Sequence, residues 1–191
     1  TNVEVLKKAL RVYNGKPIVN SVNGEEASLA NILPLVKKYG AAVVGLTLDE
    51  KGIPAKAEER FAIAERIVNK ATAIGIPKED IIIDCLTLTA SAEQKGVVET
   101  LKAIEMVKSR LGVKTVLGVS NISFGLPNRG LVNHTFLAMA LERGLDLAII
   151  NPNVAEMTGV IRAFRLLHAY DENSVEFIKA YANMPKTQTI I

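Results

Sequence analysis

The fold is decided by the stretch KTVLGVSNISFGLP, which spans Lys114–Pro127. Thr115–Val119 has the β-branched, apolar character of a buried parallel strand, and this strand ends abruptly at Ser120 and Asn121, two small polar residues. Gly125 then interrupts the chain, and the proline that closes the stretch suits the first turn of a helix. The stretch therefore predicts a strand, a polar loop and a helix in succession.

The same pattern recurs along the chain. Four further apolar segments are predicted as strands: Pro17–Val19, Ala41–Leu46, Ile81–Ile83 and Leu145–Ile150. Helical spacing of apolar residues predicts helices over Asn2–Tyr13, Ser28–Tyr39, Pro54–Ile74, Glu93–Leu111 and Pro127–Arg143. Helical pattern resumes to about Tyr170 and over Ser174–Tyr181, whereas Met184–Ile191 shows no periodicity. Pro34 is expected to kink the second helix or to mark its true start.

This alternation predicts an α/β fold with five parallel strands. The strands are apolar throughout, so we expect both of their faces to be covered. The chain contains no Gly-x-Gly-x-x-Gly turn and no phosphate-binding Gly-Lys-Ser/Thr loop, and every strand ends in polar residues. These features favour a (βα)8 barrel over an open doubly wound sheet. Five strands cannot close an eight-stranded barrel, so we expect an incomplete one.

Composition restricts the class of protein. The chain has 191 residues, of which 49% are hydrophobic, and a formal net charge of +3. This length suits one domain over residues 1–191, and the near balance of charge gives no electrostatic case for nucleic acid or a membrane surface as a partner. The single cysteine, Cys85, excludes an internal disulfide and fits a reducing compartment such as the cytoplasm.

Polar side chains at the strand ends form the candidate site: Asn20, Ser21, Asp84, Ser120, Asn121 and Asn151, with Asn23, Thr47, Asp49 and Asn153 beside them. This set contains amides, hydroxyls and carboxylates but no histidine, lysine or cysteine placed as a nucleophile. It suits a neutral heterocycle with many donors and acceptors better than covalent catalysis or zinc. Asp84 follows three isoleucines, so its carboxylate needs a donor from a ligand or from the backbone.

Four segments together resemble the pterin-binding methyltransferase family: Pro17–Glu25, Ile82–Leu86, Gly118–Pro127 and Gly144–Pro152. That family includes the folate domain of cobalamin-dependent methionine synthase and the methyltetrahydrofolate:corrinoid methyltransferases. The resemblance covers Asn2 to about Tyr181 and keeps the order of the motifs. Dihydropteroate synthase, a relative with the same barrel, usually carries a basic motif near its end that is not found here.

The resemblance implies a (βα)8 barrel that binds 5-methyltetrahydrofolate and transfers its N5 methyl group to cob(I)alamin on a separate corrinoid domain. Asn121 matches the asparagine that hydrogen-bonds near N5 and is the implied catalytic residue. Asp84 matches the aspartate that holds the pterin ring, and Asn20 and Ser21 match the floor of the site. Ser120 and Asn151 complete the implied substrate-binding set, and no metal is expected on this chain.

The resemblance also implies that the chain is a C-terminal part of the domain, because the family's first three strands precede the first helix found here. We therefore expect self-association or pairing with the missing half of the barrel. Two alternatives stay open: a non-catalytic fragment that docks a corrinoid partner, and a relative of dihydropteroate synthase. The sequence does not decide between a methionine synthase and a corrinoid/iron–sulfur protein methyltransferase.

Several reactive side chains are predicted to be structural. Cys85 has no basic neighbour in sequence and is interpreted as a small buried thiol. Arg129 and the charged run Lys56–Arg60 are interpreted as solvated helix faces. His134 and His168 form no metal-ligand motif.

Overall fold

The computed structural model describes residues 2–183. Its five strands are β1 (Ile18–Asn23), β2 (Ala42–Leu46), β3 (Ile81–Asp84), β4 (Lys114–Gly118) and β5 (Leu147–Ile149). They form one parallel sheet in the order β1-β2-β3-β4-β5. The predicted α/β class with five parallel strands is confirmed.

Within the described residues, one α-helix precedes the first strand, one lies between each pair of successive strands, and two follow the last strand. They are α1 (Val3–Val12), α2 (Glu26–Tyr39), α3 (Ala57–Ala73), α4 (Gln94–Met106), α5 (Arg129–Glu142), α6 (Ala155–Leu167) and α7 (Val175–Tyr181). The Asn2 side chain caps α1 by accepting from the amides of Glu4 and Val5, both at 3.1 Å. Helix α2 continues through Pro34 from a start eight residues earlier, so this proline does not mark its start.

Strand order identifies the type of α/β fold. A doubly wound sheet reverses its strand order at a switch point, whereas each strand of a barrel wall lies beside its predecessor. Here every strand pairs with the next one in sequence, with no reversal. The sheet is therefore an arc of barrel wall.

The outer face of this arc is sealed by helices. Val43, Ile81, Ile83 and Leu117 are fully buried, and so is Ile67 on α3. Gly45 of β2 lets α3 approach closely, since a Cβ there would lie 2.9 Å from Cγ2 of Ile67. Burial of each large aliphatic side chain contributes about 1.5–3 kcal/mol, which makes this layer the main core of the protein.

The inner face carries a smaller apolar cluster, in which Val44, Ile82 and Val116 are buried and Leu46 and Leu147 pack against them. The expectation that both strand faces are covered is therefore right for β2, β3 and β4. It is wrong for the outer strands, because Ile18 on β1 and Ile149 on β5 are each 55% exposed. Each of these strands has a sheet neighbour on one side only within the described residues.

The chain divides into two compact units at Ile150, so that the five strands belong to the first unit and α6 and α7 to the second. Within the second unit, the His168 ring stacks on Phe164 with ring centroids 4.0 Å apart. No helix within residues 2–183 has the length and apolar character needed to cross a membrane. The segment Met184–Ile191, for which the sequence predicts no periodicity, lies outside the described residues.

Candidate functional site

Asp84 is the last residue of β3 and lies on the inner face, two residues beyond Ile82. Its neighbours in the sheet are Leu46 and Val116, which are apolar. Oδ1 of Asp84 accepts a hydrogen bond from the backbone amide of Leu86 at 2.8 Å. Burial raises the pKa of this carboxyl to about 6, and the Leu86 hydrogen bond opposes the increase. No donor among the described residues is within hydrogen-bond distance of the other oxygen, Oδ2.

The turn after Asp84 is held from behind by Arg60 of α3. The Arg60 side chain is fully buried, which contradicts its interpretation as part of a solvated helix face. Its Nη1 donates to the carbonyl oxygens of Cys85 at 3.1 Å and Leu86 at 3.0 Å, and to Oγ1 of Thr100 at 2.8 Å. Leu86 itself has a φ of +59°, in the left-handed region. The turn is therefore fixed by side chains from two helices.

Cys85 has a structural role. Its thiol is fully buried, as predicted, and burial raises its pKa, with the nearby charge of Asp84 acting in the same direction. A thiol that stays protonated is a poor nucleophile, so Cys85 is a packing residue.

Asn121 lies in a short 3-10 helix, Val119–Ser123, directly after β4. Its side chain is exposed and folds back over Gly118, because a Cβ on Gly118 would lie 3.1 Å from Nδ2 of Asn121. Gly118 thus leaves space for the amide at the end of its own strand. The neighbouring strand β3 ends in Asp84, so the two predicted residues occupy adjacent strand ends.

Arg129 of α5 braces the segment that carries Asn121. Nε of Arg129 donates to Oγ of Ser123 at 2.9 Å, and Nη2 donates to the Ser120 carbonyl oxygen at 3.1 Å. The guanidinium also lies over the Phe124 ring, 4.6 Å from its centroid. Arg129 is exposed, as expected, but it is engaged with this loop rather than only solvated.

The loops after β3 and β4 are joined to each other. Oγ1 of Thr89 and Oγ of Ser91 both donate to the Phe124 carbonyl oxygen, at 2.7 and 2.8 Å. The Ala90 amide donates to the Ile122 carbonyl oxygen at 2.9 Å. The surroundings of Asp84 and Asn121 therefore form one connected rim.

The predicted residues of β1 lie two strands away from Asp84. Asn20 is exposed and pairs in register with Val44, while Ser21 occupies a bulge between Asn20 and Val22. Ser21 lines a cavity of about 400 Å³ together with Asn23, Ser28 and other residues of β1 and α2. Asp84 does not line this cavity, so the cavity does not connect Ser21 with the Asp84 carboxylate.

The remaining polar strand ends make hydrogen bonds or an ion pair within the chain. Asn23 Oδ1 accepts from the Glu25 amide at 3.1 Å, and the Thr47 hydroxyl donates to the Asp84 carbonyl oxygen at 3.1 Å. Asp49 pairs with Arg66 at 3.2 Å. In the second unit, Asn151 Oδ1 accepts from the Asn153 amide at 3.0 Å. These side chains have partners already.

The ends of β3 and β4 present hydrogen-bonding groups of two kinds. Asp84 offers an acceptor of adjustable charge, and Asn121 offers both a donor and an acceptor. No group of three or more histidine, cysteine, aspartate or glutamate side chains within residues 2–183 is placed to hold a metal ion. The sequence analysis places Arg60 on a solvated face because it belongs to a run of charged residues. Its burial could have been predicted from its position three and four residues before Ile63 and Ala64, which are buried on the same face of α3.

Curated proteins similar to this chain include two methionine synthases and one methyltransferase. Methionine synthase of Mycobacterium leprae (strain TN) is 42% identical over 164 residues, and that of Mycobacterium tuberculosis (strain ATCC 25618 / H37Rv) is 40% identical over 164 residues. Each match covers 79% of this chain and only 14% of the relative. The methylcorrinoid:tetrahydrofolate methyltransferase of Eubacterium limosum is 29% identical over 181 residues, or 93% of this chain and 67% of that protein.

Solved structures with a similar fold include dihydropteroate synthases. The enzyme of Clostridium difficile, solved in the presence of pteroic acid, has a TM-score of 0.70 at 21% identity and covers 87% of this chain and 65% of its own. The enzyme of Coxiella burnetii has a TM-score of 0.59 at 14% identity, over 88% and 73%. At these identities the likeness shows the barrel-type fold alone. Residues 1–151, which hold all five strands, match the family described as pterin binding enzyme, and the chain belongs to that family.

Proposed function

We propose that this chain binds 5-methyltetrahydrofolate at the ends of β3 and β4 and takes part in methyl transfer between its N5 atom and a corrinoid held by a partner domain. The observation that carries the proposal is the similarity to methionine synthases at 40–42% identity over 79% of the chain. The match to the pterin binding enzyme family supports the same ligand class, and so does Oδ2 of Asp84, because only Oδ1 is hydrogen-bonded within the described residues.

Asp84 is proposed to hold the pterin ring. Its Oδ2 would accept from ring N–H groups, which is a charge-assisted contact of about 1.5–3 kcal/mol. The turn held by Arg60 fixes Oδ1 on the Leu86 amide, so the carboxylate has one orientation in which to meet the ring. Asn20, Ser21, Ser120 and Asn151 belong to the proposed binding set on the family resemblance alone.

Asn121 is proposed to act at N5. A tertiary amine is a poor leaving group, so N5 must gain positive charge or a proton as the methyl group departs. An amide cannot supply a proton at neutral pH, but it can hydrogen-bond a protonated N5 and stabilise charge that develops in the transition state. Gly118 keeps the Asn121 side chain close to the strand end, where the ring would lie.

The cobalamin is assigned to a partner domain on the family resemblance, and the name of the Eubacterium limosum relative supports a corrinoid as the other methyl carrier. When bound to that partner, cob(I)alamin supplies a strong nucleophile for the methyl group. The name of the Eubacterium limosum relative gives the opposite direction, from methylcorrinoid to tetrahydrofolate, and one pterin site serves both directions. A place in methionine biosynthesis and a cytoplasmic location are further parts of the proposal.

Isothermal titration calorimetry with 5-methyltetrahydrofolate tests the proposal, using the parent chain and the variants Asp84→Asn and Asn121→Ala. We expect binding by the parent, about 10- to 100-fold weaker binding by Asp84→Asn, and a small change for Asn121→Ala. Asp146→Asn is the matched control, because this carboxylate lies at the amino end of β5, where it accepts from the Thr115 amide at 2.9 Å. Equal losses in the Asp84 and Asp146 variants would contradict the assignment.

A transfer assay with cob(I)alamin separates the roles. Removing a hydrogen bond that strengthens in the transition state costs roughly 10²–10³ in rate, so Asn121→Ala should slow transfer far more than it weakens binding. A dihydropteroate synthase relative, the alternative that the sequence leaves open, would instead form a C–N bond and need no corrinoid. A fragment that only docks a corrinoid partner would bind that partner and show neither activity.

A further inference from the structure

We propose that Arg60 is the positioning residue of the Asp84 carboxylate and acts on it through a single peptide group. The reason for holding Asp84 in place rests on the proposed function, whereas the contacts between Arg60 and the turn are present without a ligand. The peptide group concerned joins Cys85 to Leu86. Its carbonyl oxygen accepts from Nη1 of Arg60 at 3.1 Å, and its N–H donates to Oδ1 of Asp84 at 2.8 Å.

This peptide group is clamped between a cation and an anion. A hydrogen bond from a guanidinium to the carbonyl oxygen withdraws electron density from the amide and makes its N–H a stronger donor. The stronger donor favours the ionised form of the carboxylate that accepts from it. Arg60 therefore supports the charge of Asp84 without touching it.

The same guanidinium also fixes the orientation of the peptide plane. Nη1 holds the Leu86 carbonyl oxygen at 3.0 Å, and Nε donates to the Pro54 carbonyl oxygen at 2.8 Å. The Thr100 hydroxyl accepts from Nη1, and its one proton is shared between the carbonyl oxygens of Gly96 at 2.9 Å and Leu86 at 3.1 Å. With Leu86 in the left-handed region, these contacts hold a turn that its own backbone preference does not favour.

Packing alone does not explain an arginine at position 60. The side chain is 0% exposed, and its Nη2 is buried without a hydrogen-bond partner among the described residues. Burial lowers the pKa of the guanidinium, and the nearby Glu99 carboxylate opposes that decrease. A buried cation with one unpaired nitrogen is unfavourable for folding, whereas an apolar side chain of similar volume would pack there without this penalty.

The test measures the ionisation of Asp84 directly, in the absence of any ligand. Aspartate carboxyl carbons are labelled with ¹³C, and the Asp84 resonance is identified by its loss in Asp84→Asn. In the parent we expect a titration midpoint near the value of about 6 that burial produces. In Arg60→Met the midpoint should rise by about one pH unit, because the carboxylate loses support from a charge-assisted hydrogen-bond chain.

If Arg60→Met does not fold, the same titration is measured on Thr100→Val. This nearly isosteric change removes one contact of the turn, and it should raise the midpoint by a smaller amount in the same direction. Arg60→Lys, which keeps the charge and a single donor group, should fall between Arg60→Met and the parent. Thr115→Val is the matched control, since its equally buried hydroxyl contacts Gly144 and Asp146 instead, and its midpoint should equal that of the parent.

A merely structural role for Arg60 would lower stability and leave the Asp84 midpoint where it is in the parent. An unmoved midpoint in the folded Arg60→Met and Thr100→Val variants therefore overturns the inference. Calorimetry with 5-methyltetrahydrofolate on the same proteins keeps the two proposals apart. Failure of the parent to bind would count against the proposed function, while the carboxyl titration alone decides the role of Arg60.

Discussion

Asp84 is subject to two opposing demands. The folded protein places its carboxyl among apolar neighbours, which favours the neutral form, while a pterin that offers N–H groups requires the charged form. A single residue thus reduces the stability of the free protein in order to serve the proposed ligand. Both effects can be measured at this position.

The stability of Asp84→Asn should exceed that of the parent above pH 6. Burial raises the pKa of Asp84 from 3.8 to about 6, so the folded state binds its proton more tightly than the unfolded state does. The stability that this proton provides is present below pH 3.8 and is lost as the pH rises through 6. Asparagine avoids the loss and should add about 1–3 kcal/mol to the free energy of unfolding at pH 8.

Urea unfolding of both proteins at pH 4 and pH 8 checks this expectation. The gain should be large at pH 8 and close to zero at pH 4. A gain of equal size at both pH values would mean that the charge of Asp84 is not its cause.

Affinity for 5-methyltetrahydrofolate should fall as the pH decreases through 6. The ionised Asp84 carboxylate is the proposed acceptor, and it is protonated below its pKa of about 6. The loss should approach about tenfold per pH unit on the acidic side. Calorimetric titrations between pH 5 and pH 8 measure the slope, and the Asp84→Asn variant should show none. A parent affinity that is constant across this range would remove Asp84 from the binding site.

At this scale the sequence predicts some residues and misses others for physical reasons. Asp84 is recognisable because a carboxylate directly follows three isoleucines, and Asn121 because it ends an apolar strand. Arg60 is hidden, because its partners Cys85, Leu86 and Thr100 lie 25 to 40 positions away along the chain. Such contacts exist only after α3 has packed onto the sheet.

Glycines in the strands show how an element supports the site. Gly45 and Gly118 are both strand residues, yet a Cβ would meet different neighbours at each. At Gly45 it would lie 2.9 Å from Ile67 and 3.1 Å from Ile83, in the sealed core. At Gly118 it would lie 3.1 Å from the exposed amide of Asn121. Gly45 therefore governs packing, and Gly118 governs the placement of the side chain that we propose to act at N5.

The variants Gly45→Ala and Gly118→Ala should separate these roles. Overpacking at Gly45 should destabilise the protein by about 1–3 kcal/mol, because both neighbours belong to a packed core. Gly118→Ala should change stability by less than that, because the exposed Asn121 side chain can move aside, and methyl transfer should then slow severalfold. Chemical unfolding and the cob(I)alamin transfer assay are the measurements. A Gly118→Ala variant that transfers at the parent rate would show that the position of the Asn121 amide is not restricted.

Element boundaries were predicted well where a helix or strand signal is strong. The Asn2 cap of α1 and the left-handed glycine after α2, Gly40, appear where the sequence places a helix end. Strand β1 was predicted as Pro17–Val19 but extends to Asn23, because its second half is polar and contains a bulge at Ser21. Periodicity cannot indicate a strand whose alternation is broken by an extra residue.

The inner face of the five-stranded sheet is exposed at its two outer strands. Val44, Ile82 and Val116 cover one another at its centre, but Ile18 and Ile149 on the two outer strands are more than half exposed. An exposed apolar strand at a sheet edge promotes pairing with another chain. We therefore propose that this chain associates with itself or with a complementary part of a barrel.

Lysine at both outer strands should reduce self-association. We expect the parent to sediment with a mass that increases with concentration, and the double variant Ile18→Lys/Ile149→Lys to remain closer to the monomer, because charged side chains disfavour pairing of strand edges. Val12→Lys is the control, since Val12 is 79% exposed but lies on α1. The expectation fails if the control and the double variant change the sedimentation equally, or if neither differs from the parent.

The carbonyl oxygen of Phe124, which accepts from both Thr89 and Ser91, also has a consequence for protein engineering. Replacing only one of the two loops that follow β3 and β4 would change one side of this contact. A crossover point between residues 91 and 124 would take the donor side chains of Thr89 and Ser91 from one protein and the Phe124 carbonyl oxygen from another. The segment from Cys85 to Asn128 should therefore be transplanted as a single cassette, and chimaeras that divide it should lose activity even when they fold.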